Sequence, residues 1–573
     1  MKTLISSALP NSIPFSDASF TGTAKRRRQT FTTTSPLTVI RQPRKPTPTQ
    51  TTASSNIQRQ NPSLHEKIFK PLHDLISNFA NNNLPPHLDP NHILSGNFSP
   101  ADELPPTACE VEKGPLPPCL DGAYIQNGPN PQFTPLPPYY YTDGDGMLHS
   151  IKISGGGATF CSRYVKTFKY KTERDLGYPV LPNPVAFFIS NLRASMLLAA
   201  ARVMSFQFNP FADGIGTANT SVALIGGRLL ALVETDLPYE IRITPDGDIT
   251  TVGRHHFVGR SGEGGGERFL TMTAHPKTDP DTGETFAFRY FVTPPFLTFF
   301  RLDSDGTKHA DVGIFSMKAA SLVHDFAITK NFTVFPDPQI VIDPLRIMRG
   351  KPIMGADFEK TPRLAVIPRY AVDEREMYWM EAPGLNIVHT VNAWEEDGGA
   401  KIVVVASNVL CVDHALDDLD QINLEKIVID AAAKKIVGRY RVSGRNLDFG
   451  AINSLYSGKK NRYVYAAVVE GMPKMVGLVK LDLSLSEDCT VASRMYEPGC
   501  YGSEPVFVAR EGAEEEDDGY LVAYVSNEKT EESHFVVMDA KSPTLETVAA
   551  VKLPRRVPQG FHSIFVKQSE LKM

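Results

Sequence analysis

Four histidines, each inside its own distinctive string, are the residues of this chain best suited to chemistry. They are His275 in Met-Thr-Ala-His-Pro-Lys-Thr-Asp-Pro, His324 in Val-His-Asp-Phe-Ala-Ile-Thr, His389 in His-Thr-Val-Asn-Ala-Trp-Glu-Glu and His562 in Val-Pro-Gln-Gly-Phe-His-Ser-Ile-Phe-Val. Neutral imidazole is the commonest metal ligand in proteins and suits iron, zinc and copper. The gaps between them are roughly fifty, sixty-five and a hundred and seventy residues, far beyond the tight spacings of local zinc motifs. If they share one ion, several distant elements must each deliver one histidine to a common axis, and a closed β-propeller does that. Four imidazoles would leave the full double positive charge on the metal and keep coordination positions open, whereas structural zinc favours Cys and a closed set of four. The chain has 14 histidines, so spacing alone does not separate a shared site from four packed core residues.

The elements available to position them are mostly strands. Short runs rich in Val, Ile, Phe and Tyr recur, as in Arg228-Leu-Leu-Ala-Leu-Val-Glu, Lys401-Ile-Val-Val-Val-Ala and Tyr463-Val-Tyr-Ala-Ala-Val-Val-Glu. Turn signals separate them: Thr244-Pro-Asp-Gly-Asp, Asp303-Ser-Asp-Gly, Ser457-Gly-Lys-Lys-Asn and Glu516-Asp-Asp-Gly. Such a chain closes most economically as a barrel, sandwich or propeller, which hide their strand edges. The Gly-rich segment from Ser261 and the acidic run Glu511 to Asp518 read as solvated hairpin tips. Asp143-Gly-Asp-Gly shares the start of a calcium loop without the rest of its pattern, and reads as a tight turn.

Two stretches have a different character. From Pro62 to Phe79 the apolar residues Ile68, Phe69, Leu72, Leu75, Ile76 and Phe79 recur with helical period, interrupted by Pro71. From Val185 to Phe208 a second apolar stretch contains Arg193 and Arg202, which makes it a poor membrane span. It suits either an amphipathic helix lying at a membrane interface or a helix packed on the protein's own body.

Composition narrows the class further. The chain has 573 residues, 42% of them hydrophobic, and a net charge of −5. There is no basic field to suggest a nucleic-acid partner. Six cysteines without a C-x-x-C pair fit buried free thiols in a reducing compartment. The first sixty residues are rich in Ser and Thr, carry Lys25-Arg-Arg-Arg and contain a single acid, Asp17. That is the composition of an organellar transit peptide.

The strings around His275, His324, His389 and His562 are similar to the four iron-ligand segments of the carotenoid cleavage dioxygenases. The resemblance continues through Asp121-Gly-Ala-Tyr-Ile-Gln-Asn-Gly-Pro-Asn-Pro, Asp143-Gly-Asp-Gly-Met-Leu-His and Arg445-Asn-Leu-Asp-Phe, and covers nearly everything from about Pro100 onward. Arg163-Tyr-Val-Lys-Thr, Gly214-Ile-Gly-Thr-Ala-Asn-Thr-Ser and Val537-Met-Asp-Ala-Lys-Ser-Pro look most like the plastoglobule-associated type-4 plant members.

This resemblance implies an all-β fold: a seven-bladed β-propeller over 101–573 with iron on its axis, a few helices forming a cap, and a helical insertion near 185–208. Residues 1–60 would be a plastid transit peptide and 61–100 an amphipathic helix with its linker. One Fe(II) per chain would sit on the four histidines, with O2 as co-substrate and no organic cofactor. Glu234, Asp448 and Glu504 would orient three of the rings through the N–H opposite the metal. Relatives tend to carry Glu where this chain has Asp448, and Glu470 is the alternative there. Phe187, Phe188, Ile189, Leu197 and Leu198 would contact a thylakoid or plastoglobule surface that supplies the substrate. The string from Phe291 to Phe300 suits the lining of a long apolar tunnel or its membrane-facing mouth, and any single one of its residues equally suits an ordinary aromatic core. The implied activity is oxidative cleavage of a carotenoid at a 9,10 (9′,10′) or 7,8 (7′,8′) double bond. The alternatives are a 9-cis-epoxycarotenoid dioxygenase of abscisic acid synthesis and a non-catalytic carotenoid-binding plastoglobule protein.

Overall fold

The computed structural model describes residues 85–190, 214–259, 271–412, 421–471 and 474–571. The chain is all-β and propeller-like. Five sheets are four-stranded and antiparallel. Four of these run in simple chain order, for example Ile387–Glu396, Lys401–Val409, Ile422–Asp430 and Lys435–Arg441. In the fifth, a small hairpin of Ile340–Ile342 and Met354–Ala356 interrupts the order between Phe332–Asp337 and Arg363–Pro368.

A ten-stranded sheet joins the two ends of the described chain. Its strand Leu104–Lys113 pairs with Thr547–Lys552 on one side and Gly157–Tyr164 on the other. Ser563–Lys567 pairs with Gly122–Pro129. Early and late segments are thus tied by backbone hydrogen bonds and leave fewer free edges.

The strand Lys401–Val409 shows why these sequences read as unbroken apolar runs rather than as alternating ones. Ile402, Val404 and Ala406 pack with Ala327, Val334, Leu364 and Val366 of the preceding sheet. Val403 and Val405 pack with Val464, Ala466 and Val479 of the following one. Successive side chains point to opposite faces, and here both faces are covered by a neighbouring sheet. The outermost strand Lys435–Arg441 is largely exposed and correspondingly charged.

Among the described residues helices are few and short. The apolar stretch expected to be helical from Val185 begins as the six-residue helix Pro184–Ile189, which ends at Ser190; residues 191–213, with Leu197 and Leu198, lie outside the described residues. The Pro62–Phe79 pattern, the transit-peptide segment and the Gly-rich tip from Ser261 also lie outside them. Among the described residues no helix is long and apolar enough to cross a membrane.

One expectation is corrected. The acidic run Glu511 to Asp518 is not merely a solvated tip. The Glu516 carboxylate accepts the backbone N–H groups of Arg462 (2.8 Å) and Tyr463 (2.7 Å). Asp517 meets the buried Lys480 at 2.5 Å. These anchors satisfy groups of the neighbouring sheet that would otherwise be orphaned, and no local sequence signal announces them.

Candidate metal centre

Each of the four histidines lies at or near the start of an edge strand of its sheet. His275 lies just before Lys277–Thr278, His324 before Ala327–Ile328 and His562 before Ser563–Lys567, while His389 is inside Ile387–Glu396. The same position in four sheets brings the four rings to one place: one nitrogen from each lies within 4.8 Å of all the others. His275 Nε2 and His324 Nε2 are 3.0 Å apart. The His275 ring centroid lies 4.5 Å from those of His324 and His562 and 5.4 Å from that of His389.

All three expected carboxylates reach the rings. His389 Nδ1 lies 2.9 and 3.0 Å from the Asp448 oxygens, and His562 Nδ1 lies 3.0 Å from Glu504 Oε1. His324 Nδ1 is in close contact with Glu234 Oε1. A carboxylate accepts only, so each ring carries its proton on Nδ1 and turns the Nε2 lone pair toward the cluster. Glu470, the alternative partner, is exposed. His275 is arranged differently: its backbone N–H donates to Thr273 Oγ1 at 3.0 Å. Burial, with the three neighbouring imidazoles, depresses its pKa well below the ordinary value and keeps it neutral. Burial also opposes charge on His389, but the Asp448 carboxylate outweighs it and holds that pKa above the usual imidazole value.

Asp448 lies at an irregularity of its strand. Pairing of Leu447–Ala451 with Tyr463–Val469 shifts register between Asp448 and Ala451, and Phe449 has a left-handed φ of 51°. This bulge breaks the usual alternation. Asp448 and Phe449 both face the histidines, and the Phe449 ring lies 5.3 Å from His389 and 5.4 Å from His562. The backbone passes so close to the next sheet that a Cβ at Gly450 would sit 2.4 Å from Val391 Cγ2.

Several neighbours carried no signal of their own in the sequence. Tyr290 donates its O–H to Glu234 Oε2 at 2.6 Å, fixing the carboxylate that holds His324. The Ser563 N–H donates to Glu504 Oε2 at 2.7 Å. Tyr141 packs against Phe561, centroids 6.2 Å apart, and burial raises its pKa to about 12, with the Asp448 charge adding to the shift. Phe449 and Phe561 each adjoin a site residue in sequence, which is the one clue available. Of the readings open for the string Phe291 to Phe300, the aromatic core holds for its last two residues. Phe299 stacks on Phe286 and Phe300 lies under Lys308, so both are core residues of their own sheet.

The membrane-contact expectation is also revised in part. Ile189 is only 8% exposed, in a core cluster with Leu88, Ile340, Ile342, Ile353 and Met354. A short helix with an apolar run must turn one face inward, and Ile189 is on that face. Phe187 and Phe188 are half-buried and pack against the same cluster.

The family described as retinal pigment epithelial membrane protein matches residues 97–567. A chloroplastic protein of Arabidopsis thaliana, described as a probable carotenoid cleavage dioxygenase 4, is 53% identical over 525 residues, 89% of this chain and 86% of its own. The chain belongs to this family, and within it to the carotenoid cleavage dioxygenases. A chloroplastic 9-cis-epoxycarotenoid dioxygenase of Oryza sativa subsp. japonica is 51% identical over 504 residues, 85% of this chain and 77% of its own. Among solved structures, the lignostilbene dioxygenase of Pseudomonas brassicacearum superposes with a TM-score of 0.71 at 25% identity, covering 85% of this chain and all of that one. Like its carotenoid cleavage relatives, this dioxygenase is an oxygen-incorporating enzyme and a plastid protein.

Proposed function

We propose that this enzyme is a non-haem Fe(II) dioxygenase that uses O2 to cleave one carotenoid double bond, at the 9,10 (9′,10′) or 7,8 (7′,8′) position, giving apocarotenoid aldehydes or ketones. The observation that carries this reading is the convergence of four imidazoles, three of them turned inward by carboxylates. Two nitrogens bound at right angles to one ion, with bonds of about 2.1 Å, lie about 3 Å apart. The 3.0 Å between His275 and His324 and the 4.8 Å limit on every pair suit a single ion. Imidazole donors fit iron, and four of them add no anionic ligand.

Bound Fe(II) would supply the position at which O2 meets the polyene. The chain's residues supply the rest. Glu234, Asp448 and Glu504 hold the rings in direction and tautomer. Phe449, Phe561 and Tyr141 offer apolar surface beside the centre, which suits a stiff hydrocarbon and excludes water.

We read the ten-stranded sheet as two blades sharing Leu104–Lys113, which with the five four-stranded sheets makes a seven-bladed propeller about the metal. Support comes from the inner residues: Glu234, His275, His324, His389, Asp448, Glu504 and His562 then come one from each blade. We further read residues 1–60 as a transit peptide, 61–100 as a helix and linker, and the body as a peripheral protein. Phe187 and Phe188, continued by Leu197 and Leu198, would rest on a thylakoid or plastoglobule surface.

The test is iron analysis of the purified full chain, followed by aerobic incubation with β-carotene, zeaxanthin and β-cryptoxanthin in detergent. Near-stoichiometric iron and paired carbonyl products that require O2 are expected. Protein that binds these carotenoids uncleaved and without iron would overturn the reading.

A further inference from the structure

We propose that Asp325 is a positioning residue: a clasp that locks the segments bearing His275, His324 and His389 to one another and so sets the spacing of the metal centre. The proposal rests on the metal reading above. Asp325 is 2% exposed and directly follows His324, yet it touches no imidazole.

Its partners come from the other two segments. The Lys277 ammonium, two residues after His275, lies 2.8 Å from Asp325 Oδ1 and donates to Oδ2 at 3.1 Å. The Thr390 backbone N–H, one residue after His389, donates to Oδ2 at 2.7 Å. The Thr390 hydroxyl lies 3.0 Å from that oxygen and 2.5 Å from the Phe326 carbonyl, so its single proton has an acceptor on the His324 segment either way. Lys277 also reaches the Thr390 carbonyl at 3.4 Å, closing the triangle.

Segments of three different sheets thus meet on one carboxylate, each within two residues of its histidine. Packing between sheet faces is non-directional and tolerates small slips, whereas charge-assisted hydrogen bonds are short and directional. Metal ligands must be held to within about 0.5 Å of working geometry, and a slip at Thr390 carries His389 with it. The fourth segment is fastened separately. Ser563 binds Glu504 through its N–H, and the Tyr124 hydroxyl lies 2.9 Å from Ser563 Oγ and 2.8 Å from Ser503 Oγ.

The test compares the full-length wild type with Thr390→Val, Thr390→Ser and Asp325→Asn, each stripped of metal and titrated with Co(II) while the visible d–d bands are recorded. Thr390→Val keeps shape and the backbone bond but loses the hydroxyl; Thr390→Ser keeps the hydroxyl. Thr390→Val and Asp325→Asn should weaken Co(II) binding by about ten- to a hundredfold and shift the bands, and Thr390→Ser should match wild type. If Asp325→Asn does not fold, the Thr390 pair decides. Thr390→Val with wild-type affinity and spectrum, and only a lower melting temperature, would show a purely structural clasp and overturn the proposal. A wild type that takes up no Co(II) would overturn the metal reading and the clasp together.

Discussion

Two groups of carboxylates, one at the centre and one under the short helix Pro184–Ile189, differ in what they accept. At the centre, Asp448, Glu504 and Glu234 each accept an imidazole N–H. Under the short helix Pro184–Ile189, Asp143, Asp145 and Glu173 accept backbone N–H groups and one ammonium. Asp143 takes the N–H groups of Val185 (3.0 Å) and Ala186 (2.9 Å), capping the helix from a distant turn. Glu173 Oε1 takes those of Val180 and Leu181, and its Oε2 meets the buried Lys169 at 2.7 Å. Asp145 Oδ1 lies 3.7 Å from the same ammonium. The residue type is shared; the partner decides the role. A carboxylate on imidazole directs a lone pair, whereas one on backbone fastens a segment.

The difference is broken most severely by His324→Ala. It removes one ring and leaves Glu234 without its imidazole, so iron content and polyene cleavage should fall to background while the melting temperature stays near wild type. Normal turnover would remove His324 from the centre.

At the fastening cluster the loss should appear in stability. Glu173→Gln must aim an amide N–H₂ either at Lys169 or at the two backbone donors. Breaking a buried pair typically costs about 3–5 kcal/mol. Because Asp145 still faces Lys169, the lower end is expected in urea unfolding, with metal content per folded chain unchanged. A fall in metal content per folded chain would merge the two clusters into one functional unit.

The pH response sharpens the comparison further. Burial pushes the Asp143 carboxyl from 3.8 up to about 6, even against the N–H bonds it accepts. The folded protein therefore holds this proton more tightly than the unfolded chain between those values. The stabilisation is full below about pH 4 and is lost as pH rises to about 6. The stability of wild type minus that of Asp143→Asn should accordingly fall across this window by up to about 3 kcal/mol and then level off. A difference that rises with pH would reverse the assignment.

Smaller effects belong to the partners of the rings. Asp448→Asn and Glu504→Gln keep shape but lose charge, and activity and iron retention should drop about ten- to a hundredfold without vanishing. Wild-type behaviour in both would remove the carboxylates from the site. Tyr290→Phe removes one hydrogen bond to the Glu234 carboxylate, worth about 1.5–3 kcal/mol for a charged acceptor. A few-fold loss in kcat with KM unchanged is expected; a changed KM alone would place Tyr290 with the substrate instead.

How far these clusters could be read from sequence depends on how each residue acts. The histidines were legible because metal binding demands one residue type and each sits in a distinctive string. The three carboxylates were legible through the resemblance of their strings. Tyr290, Lys277 and Thr390 were not, since a phenol, an ammonium and a hydroxyl acquire these roles only when strands of different sheets lie side by side. The acidic run at Glu516 misled for the same reason: its partners, the N–H groups of Arg462 and Tyr463, belong to a neighbouring sheet.

By itself the sequence determined the strand-rich class, the four imidazoles and the family, because apolar patterning and ligand chemistry are properties of single residues and short strings. Only the tertiary structure decided that the four rings share one point, that Asp448 reaches His389 from beside a bulge at Phe449, and that Ile189 turns inward. Those outcomes depend on distances between strands far apart in the chain. Such distances arise from packing both faces of each sheet and satisfying every buried polar group at once, which no local string encodes.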